Sequence, residues 1–106
     1  MDFDIKKGHS ASLEGEGLRD LMRSILGEVK DDNGALVTSF GATTRFEVKL
    51  LSKNALSVVS TSDKNAPAEE MMESNRKYNE FMERATGFNA KERSKRLQKK
   101  AKEGKL

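Results

Sequence analysis

The chain has 106 residues, enough for one small domain with a modest hydrophobic core. It contains no cysteine, which excludes disulfides and thiolate metal sites. No apolar run approaches the ~18 residues of a membrane span, and the first ten residues lack a signal-peptide core. The sequence therefore predicts a soluble cytoplasmic protein without a membrane partner.

The charge is distributed unevenly along the chain. Residues 1–88 carry 12 Lys and Arg against 15 Asp and Glu, a net charge of −3. Residues 89–106 carry 8 Lys and Arg against 2 Glu, a net charge of +6. This division predicts a domain over residues 1–88 and a basic helical extension over residues 89–106. A basic extension on a mildly acidic domain is typical of proteins that bind nucleic acid or acidic partners.

The N-terminal third predicts a strand followed by a helix. Phe3 and Ile5 alternate with polar residues, as in a short, half-buried edge strand. The helix that follows has apolar residues at three- and four-residue spacings, namely Leu18, Leu21, Met22, Ile25 and Leu26. Ser10 or Ser12 is expected to cap this helix and Gly27 to end it.

The middle of the chain predicts four consecutive strands. They cover residues 28–32, 35–40, 43–51 and 55–61. Asn33-Gly34 is the strongest hairpin signal among them, because a type I′ turn needs positive φ at both central residues. Gly41 predicts a turn or a bulge, and Lys53-Asn54 predicts a second tight turn.

A second, longer helix is predicted from Ala68 to about Phe88, with Pro67 at its start. The residues on its less polar side are Met71, Met72, Asn75, Tyr78, Phe81, Met82 and Ala85. The helical spacing of Met71, Met72 and Met82, together with that of Met22 on the first helix, favours a place in the core. The alternative interpretation is an adaptable binding surface built from thioether side chains.

The predicted order is β-α-β-β-β-β-α. One antiparallel sheet with both helices on one face satisfies this order, so we predict an α+β domain. The order resembles a single repeat of the TATA-binding-protein-like fold, and also the helix-grip arrangement. Such a resemblance concerns the fold and implies no function.

The last segment predicts a third, basic helix. Thr86-Gly87 is expected to end the long helix, and Asn89 with Glu92 has the capping pattern of a new one. The basic residues of this helix are Lys91, Arg93, Lys95, Arg96, Lys99, Lys100 and Lys102. We predict that they contact the phosphate backbone of DNA or RNA, or an acidic protein surface. A merely solubilising tail is the alternative, and base stacking is not expected because the segment has no aromatic residue.

Three stretches together resemble a family of small archaeal proteins of unknown function. They are Lys7-Gly8-His9, Ser39-Phe40-Gly41-Ala42 and the segment from Ala85 to Arg93. The resemblance implies an archaeal origin and an α+β fold. It brings no catalytic residue to this sequence.

The residues that could carry chemistry have simpler explanations. His9 is the single histidine and has no cysteine to activate, which favours a structural role or an exposed position. Residues 31–34 lack the ligand spacing of a calcium loop and fit a hairpin better. Gly15-Glu16-Gly17 lacks the third glycine of a dinucleotide motif, because Asp20 stands in its place.

The sequence therefore predicts a non-enzymatic small binding protein without a metal or another cofactor. The leading hypothesis is a largely sequence-independent contact with nucleic acid through the basic helix. The alternative is a protein-interaction or assembly module that uses the apolar face of a helix or the sheet.

Overall fold

The computed structural model describes residues 2–102, with side chains described as far as Lys99. Its elements are β1 (Asp2–Asp4), a 3-10 turn (His9–Ser12), α1 (Gly17–Ile25), β2 (Lys30–Asp32), β3 (Ala35–Phe40), β4 (Thr43–Ser52), β5 (Ala55–Ser62), α2 (Ala68–Thr86) and α3 (Ala90–Lys102). The strands form one antiparallel sheet in the order β1-β5-β4-β3-β2. The predicted α+β class is confirmed. None of the helices within residues 2–102 combines the length and the apolar composition of a membrane span.

The hairpins form where the turn chemistry predicts them. Asn33 has φ 51° and Gly34 has φ 88°, so both central residues of the β2–β3 turn are left-handed. This confirms the type I′ prediction. Gly41, with φ 51°, joins β3 to β4 beside an irregularity in their register.

One face of the sheet and the inner sides of α1 and α2 form the core. The buried apolar side chains of the strands are Phe3, Phe40, Phe46, Val48, Leu56 and Val58. Phe46 lies at the centre, in edge-to-face contact with Phe40 at 5.3 Å and Phe81 at 5.7 Å between ring centroids. Met22 from α1 is also fully buried, whereas Leu21 is only half-buried at the margin of the same core.

The first turns of α2 depart from the prediction. Met82 and Met22 are in the core, as expected, but Met71 is 41% exposed and Met72 is 72% exposed. The core interpretation is therefore wrong for these two methionines. In this part of α2 the buried residue is Ser74. Its hydroxyl faces the β3–β4 connection and accepts the Ala42 N–H at 2.6 Å. Met72 lies two residues from Ser74, which is about 200° around the helix.

The start of α1 also differs from the prediction. Ser10 and Ser12 belong to the 3-10 turn, and no side chain caps α1. The backbone of the turn approaches the helix so closely that a Cβ on Gly17 would lie 2.0 Å from the Ser12 carbonyl oxygen. A glycine that is costly within a helix is thus required here by packing. Gly27, with φ 112°, ends the helix as predicted.

Candidate functional site

The junction between α2 and α3 is built from local capping interactions. Gly87 adopts the left-handed conformation, with φ 80°, and its N–H donates to the Glu83 carbonyl oxygen at 2.9 Å. Asn89 Oδ1 accepts the Glu92 N–H at 2.9 Å, and Glu92 Oε1 accepts the Asn89 N–H at 3.5 Å. The predicted capping box is therefore present. It sets the direction in which α3 leaves the end of α2.

Arg93 attaches α3 to α2. Its side chain is only 6% exposed, and Nη1 donates to the Phe88 carbonyl oxygen at 2.7 Å. Nη2 donates to Asn79 Oδ1 at 2.9 Å. Burial lowers the pKa of the Arg93 guanidinium, an effect that Tyr78 and Glu83 partly offset. The guanidinium therefore binds groups of its own protein and is not presented to a ligand.

Arg96 and Leu97 attach α3 to the sheet. The Arg96 guanidinium lies 4.0 Å from the centroid of the Phe88 ring, a cation–π distance. Its Nη1 also pairs with Asp4 Oδ2 at 3.1 Å. Leu97 is half-buried against the core cluster. Helix α3 therefore covers the outer edge of β1, where an exposed strand could otherwise pair with another chain.

Three lysines of α3 lie on its solvent side. Lys91, Lys95 and Lys99 are exposed and follow one another at four-residue spacing, within an arc of about 80°. None of the ion pairs formed by the described residues involves them. Of the predicted contact residues, the structure thus brings these three together and separates Arg93 and Arg96 from them. The side chains of Lys100 and Lys102 lie outside the described residues.

A second candidate surface lies between β5 and α2, and it includes Met71 and Met72, for which an adaptable binding surface was the alternative interpretation. This β5 groove is an open cavity of about 880 Å³. Its apolar lining residues are Phe3, Ala42, Val58, Val59, Met71, Met72 and Tyr78. Four large apolar side chains are exposed in the described part of the chain, and Val59, Met71 and Met72 are three of them. Burial raises the pKa of Tyr78, while the charge of Arg93 opposes this. A sequence signal for the groove is the pair of small residues Ser60 and Ser62 in β5, which leave space beneath the methionines of α2.

The strand wall of the β5 groove is an uncovered edge of the sheet. β1 pairs only with Ala55–Ser57 of β5, and no described strand borders Val59–Ser62 on that side. The Ile5 N–H donates to the carbonyl oxygen of Asn54, which lies opposite it in the β1–β5 ladder. Because backbone groups alternate between the two sides of a strand, the even-numbered residues of β5 direct their N–H and C=O groups toward the β1 side, away from β4. The outward backbone groups of the uncovered stretch therefore belong to Ser60 and Ser62.

The residues considered for catalysis have structural roles. His9 Nε2 donates to the Arg84 carbonyl oxygen at 2.5 Å, near the end of α2, a contact that fits the predicted structural role. Asp31 forms an ion pair with Arg19, as part of the β2–β3 hairpin. Within the described side chains, no three His, Asp or Glu residues are grouped closely enough to hold a metal ion.

Comparison with known proteins identifies a family and nothing closer. The family model of the domain of unknown function DUF5611 matches residues 1–99. Neither the curated proteins nor the solved structures include a significant match to the chain. The predicted resemblance to a family of unknown function is confirmed, whereas an archaeal origin stays a prediction. The match continues past residue 88 and covers most of α3.

Proposed function

Because the chain belongs to the DUF5611 family, a domain of unknown function, we propose a function from the geometry: a small binding protein whose α3 contacts the phosphate backbone of DNA or RNA. The observation that supports this proposal is the exposed line of Lys91, Lys95 and Lys99. The line is about 12 Å long at 1.5 Å per residue. Duplex DNA presents about seven phosphate charges over that length.

The anchoring of α3 favours such a contact. Arg93 and Arg96 hold the helix against the domain, so the backbone beneath the lysines is already ordered before binding. Arg45, which could have extended the basic surface across the sheet, is paired with Asp32 and Glu47. The proposed contact is therefore confined to α3 and is independent of base sequence.

The test compares two triple variants with the same loss of charge. Lys91→Gln/Lys95→Gln/Lys99→Gln removes the proposed contact, and Lys30→Gln/Lys49→Gln/Lys53→Gln removes three other exposed lysines. Binding is measured by fluorescence anisotropy with a labelled 20-base-pair DNA duplex and an RNA hairpin. We expect the first variant to lose binding to either nucleic acid and the second to retain it.

Salt dependence gives a second readout of the same contact. Three phosphate contacts on duplex DNA predict a slope of about −2.7 in log affinity against log salt, hence a loss of about 40-fold between ~50 and ~200 mM. If the full chain binds neither nucleic acid at ~50 mM salt, the proposal is wrong and the lysines only solubilise the protein. If both triple variants lose binding equally, net charge and not α3 is responsible.

A second candidate function, a protein-interaction or assembly module, is supported by the β5 groove. Met71 and Met72 expose apolar surface where they line this groove. Contiguous apolar surface of this kind marks interaction sites on soluble proteins. Methionine also adapts its flexible thioether chain to a partner.

A further inference from the structure

We propose that the β5 groove is closed by a second copy of this chain, with the two β5 strands paired antiparallel across a two-fold axis and the two α2 helices in contact through Met71 and Met72. The inference makes the second candidate function specific and rests on it. It does not involve the lysines of α3.

The first argument concerns the edges of the sheet. α3 covers the β1 edge, and β2 at the opposite edge is a three-residue strand with exposed charged side chains. Both are common ways of preventing strands from pairing between molecules. The stretch Val59–Ser62 contains neither a charged residue nor a proline, and Ser60 and Ser62 direct backbone groups outward. Among the residues that the structure describes, this is the edge that remains open to another strand.

The second argument concerns the layer above the sheet. Met72, 72% exposed, and Met71, 41% exposed, both line the β5 groove from the helix above the uncovered stretch of β5. A bound peptide strand would pair with β5 but would leave Met72 largely in solvent. A partner that presents a strand and a helix in the same arrangement would cover both layers. A second copy has this arrangement, as a two-fold interface requires.

The third argument is charge complementarity along α2. Glu69 lies three residues before Met72 and Arg76 lies four residues after it, so all three share one side of the helix. Arg76 also pairs with Glu73 of its own helix at 2.6 Å and is 65% exposed, so it can bind a second carboxylate. A two-fold axis near Met72 makes the helices antiparallel. Glu69 of each copy is then placed opposite Arg76 of the other. The same contact is made twice.

The test is the mass of the protein in solution as its concentration rises. Sedimentation equilibrium of the full chain should show a change from 11.8 kDa to twice that mass between about 1 μM and 1 mM. Met72→Glu should weaken the association at least about tenfold, because it places a carboxylate at the centre of the contact. Ser60→Pro should weaken it as well, since proline removes an outward N–H from the strand edge.

Leu51→Glu is the matched control. Leu51 is 48% exposed and does not line the groove, so this variant should associate like the unmodified chain. Far-UV circular dichroism verifies that each variant is folded. An association that Met72→Glu and Ser60→Pro leave unchanged would place the interface elsewhere and overturn the proposal.

A full chain that stays monomeric to ~1 mM would also overturn the second copy as the occupant. The broader interaction function is then tested separately with a synthetic peptide of alternating valine and threonine flanked by lysines. The single tyrosine of the chain, Tyr78, lines the groove and reports binding by its fluorescence. A response of Tyr78 that Met72→Glu abolishes would retain an interaction module with a different partner. No response would overturn both.

Discussion

Replacement of Arg93 by alanine should destabilise the domain far more than replacement of a neighbouring lysine. The Arg93 side chain is 6% exposed and forms two hydrogen bonds, to the Phe88 carbonyl oxygen and to Asn79 Oδ1. Hydrogen bonds that involve a charged group contribute roughly 1.5–3 kcal/mol each. The variant also leaves two acceptors without their donor, so we expect a loss of roughly 3–5 kcal/mol.

Two further variants separate the hydrogen bonds from the charge. Arg93→Lys keeps the charge but cannot reach two acceptors with a planar fork, so it should lose about half of the Arg93→Ala effect. Lys91→Ala removes an exposed charge in the same helix and should change the free energy of unfolding by no more than about 0.5 kcal/mol. The measurement is urea denaturation followed by circular dichroism.

The size of the effect decides whether α3 belongs to the domain. A typical domain has a free energy of unfolding of about 5–15 kcal/mol, so a loss of roughly 3–5 kcal/mol is a large fraction of the total. If Arg93→Ala unfolds at the same urea concentration as the unmodified chain, Arg93 does not hold α3 in place. The interpretation of residues 89–106 as a separable extension would then be supported.

Two other predictions test the turn between β3 and β4 and the environment of the groove. Gly41→Ala should lower the thermal midpoint, because Gly41 has φ 51° and a Cβ there would lie 2.4 Å from Ser74 Oγ. Ser39→Ala, the control, should leave the midpoint unchanged, and equal midpoints for the two variants would contradict this. Tyr78 should ionise above the usual value of about 10, since burial raises its pKa, and its absorbance at alkaline pH measures this directly. The unfolded chain loses this proton first, so stability should decline as pH rises from about 10 toward the folded pKa; identical titrations with and without urea would refute the burial.

The sheet was predictable because its signals are local. Period-two alternation and the Asn33-Gly34 turn specify a strand and its end within a few residues, and β3 runs from Ala35 to Phe40 as predicted. The start of α1 depends on a contact between Gly17 and the backbone of Ser12, which no helix-capping pattern contains. The capping rules therefore predicted a serine at the start of α1, where the structure instead has a close contact between Gly17 and the Ser12 backbone.

Helical spacing explains the exposure of Met72 but not that of Met71. Met72 is nine residues from the fully buried Phe81, about 180° around α2. Met71 is eleven residues from the fully buried Met82, only about 20° around the helix, so spacing predicts the same environment for both. Met71 is nevertheless exposed because it lines the β5 groove, where Ser60 and Ser62 do not fill the space beneath the methionines.

The positive charge of residues 89–106 comes from lysines and from arginines, and the net charge does not distinguish their roles. Net charge describes how a surface attracts partners and does not show which cations pack against the fold. The choice between arginine and lysine carries that information: residues 89–106 contain six lysines and two arginines, and both arginines contact the domain. A planar guanidinium suits several acceptors or an aromatic ring, whereas an ammonium group stays hydrated. The arginines therefore hold α3 against the domain, and the exposed lysines are the side chains available to a partner.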